Sequence, residues 1–202
     1  AVNLSELGYD LSFLRTIPGT IGGAIAMNAG CYGNYMGDYV QSIEGFDKSG
    51  KFTRVSRENI QFEYRSSGLP KNFIITSAVF KPKRGKKRVI QQKMKEMLSK
   101  REETQPTKKA TCGSTFKNPD GKASLISETS IELKAWNLID RAGLRGKKIG
   151  RAMVSKKHPN FMINLGGATA EEIESLGEYV RKSVYKKFKV SLDWEVIRVG
   201  RK

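Results

Sequence analysis

The sequence predicts an α+β protein in two parts, and three observations carry that reading. The first eighty residues hold short strand-like runs separated by turn residues, with little helical periodicity. The second half instead carries apolar residues at helical spacing, interspersed with short strand-like runs. Between the halves, Lys81 to Arg88 is strongly basic and contains Pro82 and Gly85, a composition break suited to a boundary. The expected domains are residues 1–85 and 86–202.

Residues Ala1 to Leu14 mix polar and apolar positions and read as the end of a larger unit. Ile17 to Gly33 is rich in glycine and small residues, with a short helix expected to begin near Thr20. Val40–Phe46 and Lys51–Val55 read as strands joined by Asp47-Lys48-Ser49-Gly50, a turn-rich hairpin connection. Phe73–Phe80 is β-branched or aromatic at most positions and predicts a longer strand.

Beyond the break, Ile90, Met94, Met97 and Leu98 lie on one helical face, in a helix expected to reach about Glu103 before Pro106. A second helix is expected over Ile131–Ala142, stopped by Gly143. Ile149–Val154 and Phe161–Leu165 read as short strands. The clearest helix is Ala170–Phe188. Thr169 and Glu172 form a capping box, and Ile173, Leu176, Val180, Val184 and Phe188 mark its apolar face. A final strand is expected over Val190–Val199, with Leu192, Trp194 and Val196 on one face and Glu195, Ile197 and Val199 on the other.

Composition narrows the function. The 37 Lys+Arg residues against 20 Asp+Glu give a net charge of +17, which favours anionic partners. The basic residues are spread along the chain, and their short clusters lack interleaved aromatics for base stacking, so a solvated basic surface is expected rather than nucleic-acid binding. No apolar run approaches the ~20 residues that span a bilayer, and no signal-peptide pattern opens the chain; no membrane insertion and a cytoplasmic location are expected. Cys31 and Cys112 are expected as free thiols. The single histidine, His158, argues against a histidine-rich metal site and against a Ser–His–Asp triad; no metal is expected.

Four segments could carry chemistry. Ile17-Pro18-Gly19-Thr20-Ile21-Gly22-Gly23 with Asn28-Ala29-Gly30 could bring backbone amides against phosphate oxygens, or could simply pack a turn tightly. Arg65, between Tyr64 and Ser66-Ser67, could be a rigid fork for a carboxylate or phosphate, or an ordinary surface arginine. Ser114, in Gly113-Ser114-Thr115-Phe116-Lys117-Asn118-Pro119, could donate a proton or cap a turn. Glu195 is a carboxylate in a segment otherwise made for burial, and needs a salt bridge or a task.

In this order, the four segments resemble those of the UDP-N-acetylenolpyruvoylglucosamine reductase family. Ile17–Gly33 is similar to its IPGxxGGAxxMNAGxYG stretch, Tyr64–Ser67 to its YRxS element, and Gly113–Pro119 to GSxFKNP. Ala142-Gly143-Leu144, Val154–Phe161 and Leu192–Val196 resemble AGL, VSxKHxNF and LxxEV. The resemblance covers essentially the whole chain. It implies the C-terminal part of a vanillyl-alcohol-oxidase-like FAD-binding domain followed by an α+β substrate-binding domain. The short span between Arg65 and Phe73 fits the family's short-loop subclass, and the family's GSN-type flavin loop is not among residues 1–202.

The resemblance further implies Arg65, Ser114 and Glu195 as catalytic residues, and Ile17, Pro18, Gly19, Thr20, Gly22, Gly23, Asn28 and Gly30 as FAD-binding residues. Lys117 and Asn118 are expected at the substrate. The implied cofactor is FAD, with NADPH as co-substrate and a UDP-sugar as substrate, in a monomer. A non-catalytic basic module or inactive remnant, binding phosphorylated ligands or nucleic acid, is the alternative.

Overall fold

The computed structural model describes residues 1–123 and 132–200. Two compact units emerge: Ala1–Ser99 with Ala123, and Lys100–Lys122 with the described residues from 132 onward. The division falls inside one helix, α3 (Lys87–Thr104), a little beyond the break in composition. The chain is α+β, as the residue pattern predicts.

In the first unit, β4 (Val40–Phe46) is the centre of a three-stranded antiparallel sheet, flanked by β5 (Phe52–Ser56) and β6 (Ile74–Phe80). The β4–β5 turn forms where predicted. Asp47 Oδ1 accepts from the Ser49 and Lys51 amides at 2.8 and 3.0 Å and from the Ser49 hydroxyl. A helix α1 (Val2–Glu6), a short α2 (Ile21–Ala26) and 3-10 turns pack beside the sheet around Leu11, Phe13, Ile25, Met36, Val40, Ile43 and Ile60. β2 (Gly30–Cys31) and β3 (Asn34–Tyr35) form a small hairpin. Cys31 and Cys112 are both free thiols.

One pairing in this unit has no counterpart in the sequence reading. β1 (Tyr9–Asp10) pairs antiparallel with β7 (Lys83–Arg84), inside the basic break. The Arg84 guanidinium lies 3.8 Å from the Tyr9 ring centroid and donates to Tyr9 Oη and to the Leu7 carbonyl. Part of the basic break is thus occupied by a strand.

In the second unit, α4 (Ala135–Arg141) and α5 (Ala170–Phe188) pack on a three-stranded antiparallel sheet. Its strands are β8 (Lys148–Ile149), β9 (Ala152–Val154) and β10 (Met162–Asn164), with β9 central. Leu176, Val180 and Val184 of α5 are fully buried, and the Thr169–Glu172 capping box is present.

Three expectations need correction. Ile149–Val154 is not one strand: Gly150 and Arg151 turn the chain, so β8 and β9 form a hairpin. The second helix is shorter than expected and begins at Ala135, behind Lys134 at its N-cap; Ile131 lies outside the described residues. Val190–Val199 is not a regular strand. Among the described residues only Trp194 makes a bridge, to Phe116, while Ile197 and Val199 are 75% and 93% exposed. Their β-branched side chains raise strand propensity, but among the described residues no strand pairs with them.

Candidate active site

In the second unit, three segments distant in sequence meet edge to edge. Ser114 forms a bridge with Phe161, and Phe116 forms one with Trp194. The Thr115 amide donates to the Asn160 carbonyl at 2.7 Å, and the Lys117 amide to the Asp193 carbonyl at 2.8 Å. The Glu195 amide donates to the Thr115 carbonyl at 2.9 Å. Ser114 and Glu195 therefore flank one short piece of paired backbone, although some eighty residues separate them along the chain. Both are half-buried.

The segment bearing Glu195 is clamped to α5. Arg181 Nε donates to the Leu192 carbonyl at 2.7 Å, and its Nη1 reaches both carboxylate oxygens of Glu178 at 2.9 Å. Trp194 Nε1 donates to Glu178 Oε1 at 3.0 Å, and this bond, with Arg181, holds the Glu178 carboxyl below its ordinary pKa. The Trp194 ring lies 5.0 Å from that of Phe116 and covers Gly177 so closely that a Cβ there would fall 2.0 Å from the indole. Glycine in the middle of a helix is otherwise unfavourable by roughly 1 kcal/mol, so its place here is explained by the ring.

The turn after Ser114 is fixed by a buried ion pair. Lys134 is 1% exposed; its Nζ lies 2.8 Å from Asp120 Oδ2 and donates to the Lys122 carbonyl. Asn118 Nδ2 donates to the same carbonyl, and Asn118 Oδ1 accepts from the Ala135 amide. Asn118 and Lys134 thus tie this turn to the start of α4. Lys117 is half-buried on the same turn.

His158 precedes this array. Its Nδ1 is buried with no hydrogen-bond partner among the described residues, its ring packs edge-on to Phe161 at 4.7 Å, and the Arg145 charge acts on it. Burial, helped by the Arg145 charge, pushes its pKa down to about 4, so the imidazole is neutral at physiological pH.

Arg65 belongs to the first unit. Glu63 and Ser66 exchange backbone hydrogen bonds of 2.9 and 3.2 Å, which puts Tyr64 and Arg65 at the tip of a tight turn. Arg65 has φ of 58°, a conformation that carries a cost in a non-glycine residue, and its guanidinium lies 4.8 Å from the Tyr64 ring centroid. The turn is anchored twice. Asn28 Nδ2 donates to the Glu63 carbonyl at 2.9 Å, and Ser67 Oγ donates to the Ala26 carbonyl at 3.1 Å.

The glycine-rich segment therefore sits directly behind Arg65. Thr20 caps α2 by accepting from the Gly23 amide at 3.1 Å. Pro18, Gly19, Thr20 and Gly23 are exposed, while Ile17 and Gly22 are half-buried. Gly19 has φ of 116°, and a Cβ there would meet nothing within 4 Å, so the backbone strip is open. Asn28 is buried, with both ends of its amide engaged, since Oδ1 accepts from the Gly37 amide at 2.9 Å. Gly30 lies so close to Tyr35 that a Cβ would fall 2.4 Å from the ring. Among the described residues there is no cluster of three or more His, Cys, Asp or Glu that could hold a metal, and no helix long and apolar enough to cross a membrane.

Residues 105–199 match the family model for the UDP-N-acetylenolpyruvoylglucosamine reductase C-terminal domain. Proteins named UDP-N-acetylenolpyruvoylglucosamine reductase from Dinoroseobacter shibae and Paracoccus denitrificans are 52% and 48% identical to this chain, covering 96% and 98% of it and 63% and 65% of their own length. The crystal structure of the reductase (MurB) from Thermus caldophilus matches with a TM-score of 0.78 at 34% identity, over 96% of this chain and 66% of that one. The chain belongs to the UDP-N-acetylenolpyruvoylglucosamine reductase family. It spans just under two thirds of the length of these curated relatives.

Within this reductase family chain, the GSxFKNP-like and LxxEV-like segments are brought together, and the YRxS-like turn is bound to the glycine-rich stretch. Two features escaped the sequence. Asn160 was visible only as a letter in a motif, and the Asp120–Lys134 pair left no signal, because a lysine in a polar stretch reads as exposed.

Proposed function

We propose that this chain takes part in the NADPH-dependent, FAD-mediated reduction of UDP-N-acetylglucosamine enolpyruvate to UDP-N-acetylmuramate, in peptidoglycan synthesis, a reading supported by the reductase name its relatives carry. The observation that carries the reading is the pairing of the Ser114 and Glu195 segments through Thr115, which puts a hydroxyl and a carboxyl at one piece of backbone. In this reading residues 1–85 are the second portion of the FAD-binding domain and 86–202 the substrate domain, and the enzyme is a cytoplasmic monomer.

The residues present fit a flavin nucleotide. Pro18, Gly19 and Thr20 offer exposed backbone leading into the first turn of α2, where the amides before Gly23, whose own is taken by the Thr20 cap, are oriented as anion donors. Ile17, Gly22 and Gly23 complete that strip, while Asn28 and Gly30 hold its shape through the contacts described above. FAD, when bound, supplies the hydride taken from NADPH to C3 of the enolpyruvyl group.

The protein's own residues manage charge and the proton. Hydride addition at C3 builds negative charge on C2 and the adjoining carboxylate. Arg65 stabilises that charge with its fork of donors, and Glu195, if protonated, donates a hydrogen bond to the same carboxylate. One well-aimed donor of this kind is worth ~3 kcal/mol. Ser114 delivers the proton to C2, a role worth roughly 10²–10⁴-fold in rate. Lys117, on the same turn, steadies the resulting alkoxide, and Asn118 holds that turn against α4 at the substrate.

The test uses the native-length protein. A yellow protein whose flavin is bleached by NADPH and restored by the enolpyruvyl substrate, with UDP-N-acetylmuramate formed, supports the reading. A flavin that stays bleached in the presence of substrate overturns it, and a colourless protein that shifts DNA supports the binding-module alternative.

A further inference from the structure

We propose that Asn160 is a positioning residue that sets the placement of Ser114 and Glu195. Its side-chain amide pairs with the backbone of Phe116 in both directions: Oδ1 accepts from the Phe116 amide at 3.0 Å, and Nδ2 donates to the Phe116 carbonyl at 2.8 Å. Its own carbonyl takes the Thr115 amide at 2.7 Å. A single residue therefore mimics a neighbouring strand for Thr115 and Phe116, the two residues that follow Ser114.

The connection continues on the other edge. The Thr115 carbonyl accepts from the Glu195 amide, and Phe116 bridges to Trp194. Asn160 is 3% exposed, so these bonds are made away from competing water. No other residue type offers this. Aspartate lacks the donor, an aliphatic residue lacks both groups, and glutamine adds a methylene that carries the amide out of register with the Phe116 backbone. Next to Asn160, Phe161 makes the bridge to Ser114 itself, so a shift of this turn moves Ser114 from two directions. Displacement of a reacting group by about 1 Å can cost on the order of 100-fold in rate.

This inference rests on the proposed reductase reading, and its test separates the two. Asn160→Ala and Asn160→Asp are made in the native-length, FAD-loaded protein. Flavin reduction by NADPH and flavin reoxidation by the enolpyruvyl substrate are timed separately. Amide hydrogen exchange is followed at Thr115, Phe116 and Glu195.

We expect Asn160→Ala to slow reoxidation about 10- to 100-fold while flavin reduction and flavin content hold. Asn160→Asp, which keeps one of the two side-chain bonds, should fall between it and the parent. In both variants exchange should quicken at the three amides more than across the rest of the chain. The loss should also be non-additive with Ser114→Ala, because a displaced serine cannot be displaced further to any effect. Unchanged exchange at the three amides, equal slowing of both half-reactions, or full additivity with Ser114→Ala overturns the proposal. Should the parent protein fail to reduce the substrate, the reductase reading falls, and the exchange result alone decides whether Asn160 holds this backbone.

Discussion

The Glu195 amide donates to the Thr115 carbonyl at 2.9 Å. Residues on either side of this bond are the ones for which the sequence raised chemical roles, Ser114 before Thr115 and Glu195 itself. Because the bond is between backbone groups, the relative placement of the two side chains is built into the chain path.

That path depends on the close approach of the Trp194 indole to Gly177. Gly177→Ala would put a methyl into the indole and force Trp194 off Phe116 and Glu178. Overpacking of this kind costs typically 1–3 kcal/mol. Chemical denaturation should show a loss in that range; unchanged stability would mean that the indole moves aside freely.

Thr115 offers the opposite case. Its side chain is buried at 1% exposure, and Oγ1 has no hydrogen-bond partner among the described residues. An unsatisfied buried hydroxyl is unfavourable, so Thr115→Val should leave stability unchanged or raise it by about 1 kcal/mol. A melt showing a loss of more than about 1 kcal/mol would reveal a partner for that hydroxyl.

His158 ties stability to pH. Its folded pKa, at about 4, lies below the usual 6.5, so the folded state resists protonation. Above pH 6.5 both states are neutral and the group contributes nothing to the pH dependence. Between pH 6.5 and about 4 the unfolded chain binds a proton that the folded chain does not, so stability falls as pH falls. The loss is complete below the folded value and amounts to roughly 3 kcal/mol. Denaturant titrations at pH 7.5 and pH 5 should show His158→Gln losing less on acidification than the parent. Parallel curves for the two proteins would contradict this.

Arg65 combines a turn-tip position, a φ of 58° and a ring beneath its guanidinium. Arg65→Lys keeps the charge but loses the planar fork. We predict a fall of about 100-fold or more in flavin reoxidation by substrate, equivalent to ~3 kcal/mol of lost charge stabilisation. Near-normal turnover in stopped-flow would remove Arg65 from the reaction.

How much of this was legible beforehand follows from what sequence patterns report. The α5 helix was readable because Leu176, Val180 and Val184 lie on one face and Thr169 and Glu172 cap it, all local signals. The Asp47–Gly50 turn was readable for the same reason. Long-range pairing was not. Nothing in Tyr9-Asp10 announces Lys83-Arg84, and nothing in Val190–Val199 discloses that, among the described residues, its strand-type bridging is confined to Trp194 with Phe116. Alternation of apolar residues states which side chains seek burial, but a strand also needs a neighbouring backbone. At the site, the motifs gave the identities of Ser114 and Glu195. Their adjacency, and the part of Asn160 in it, exist only in the fold.

In the proposed reaction Ser114 delivers the proton that completes reduction of the enolpyruvyl group. Stopped-flow spectroscopy of the FAD-loaded Ser114→Ala protein tests it most directly. Flavin reduction by NADPH is expected at the parent rate, with reoxidation by substrate slowed roughly 10²–10⁴-fold. Equal slowing of both half-reactions, or reoxidation at the parent rate, would contradict it.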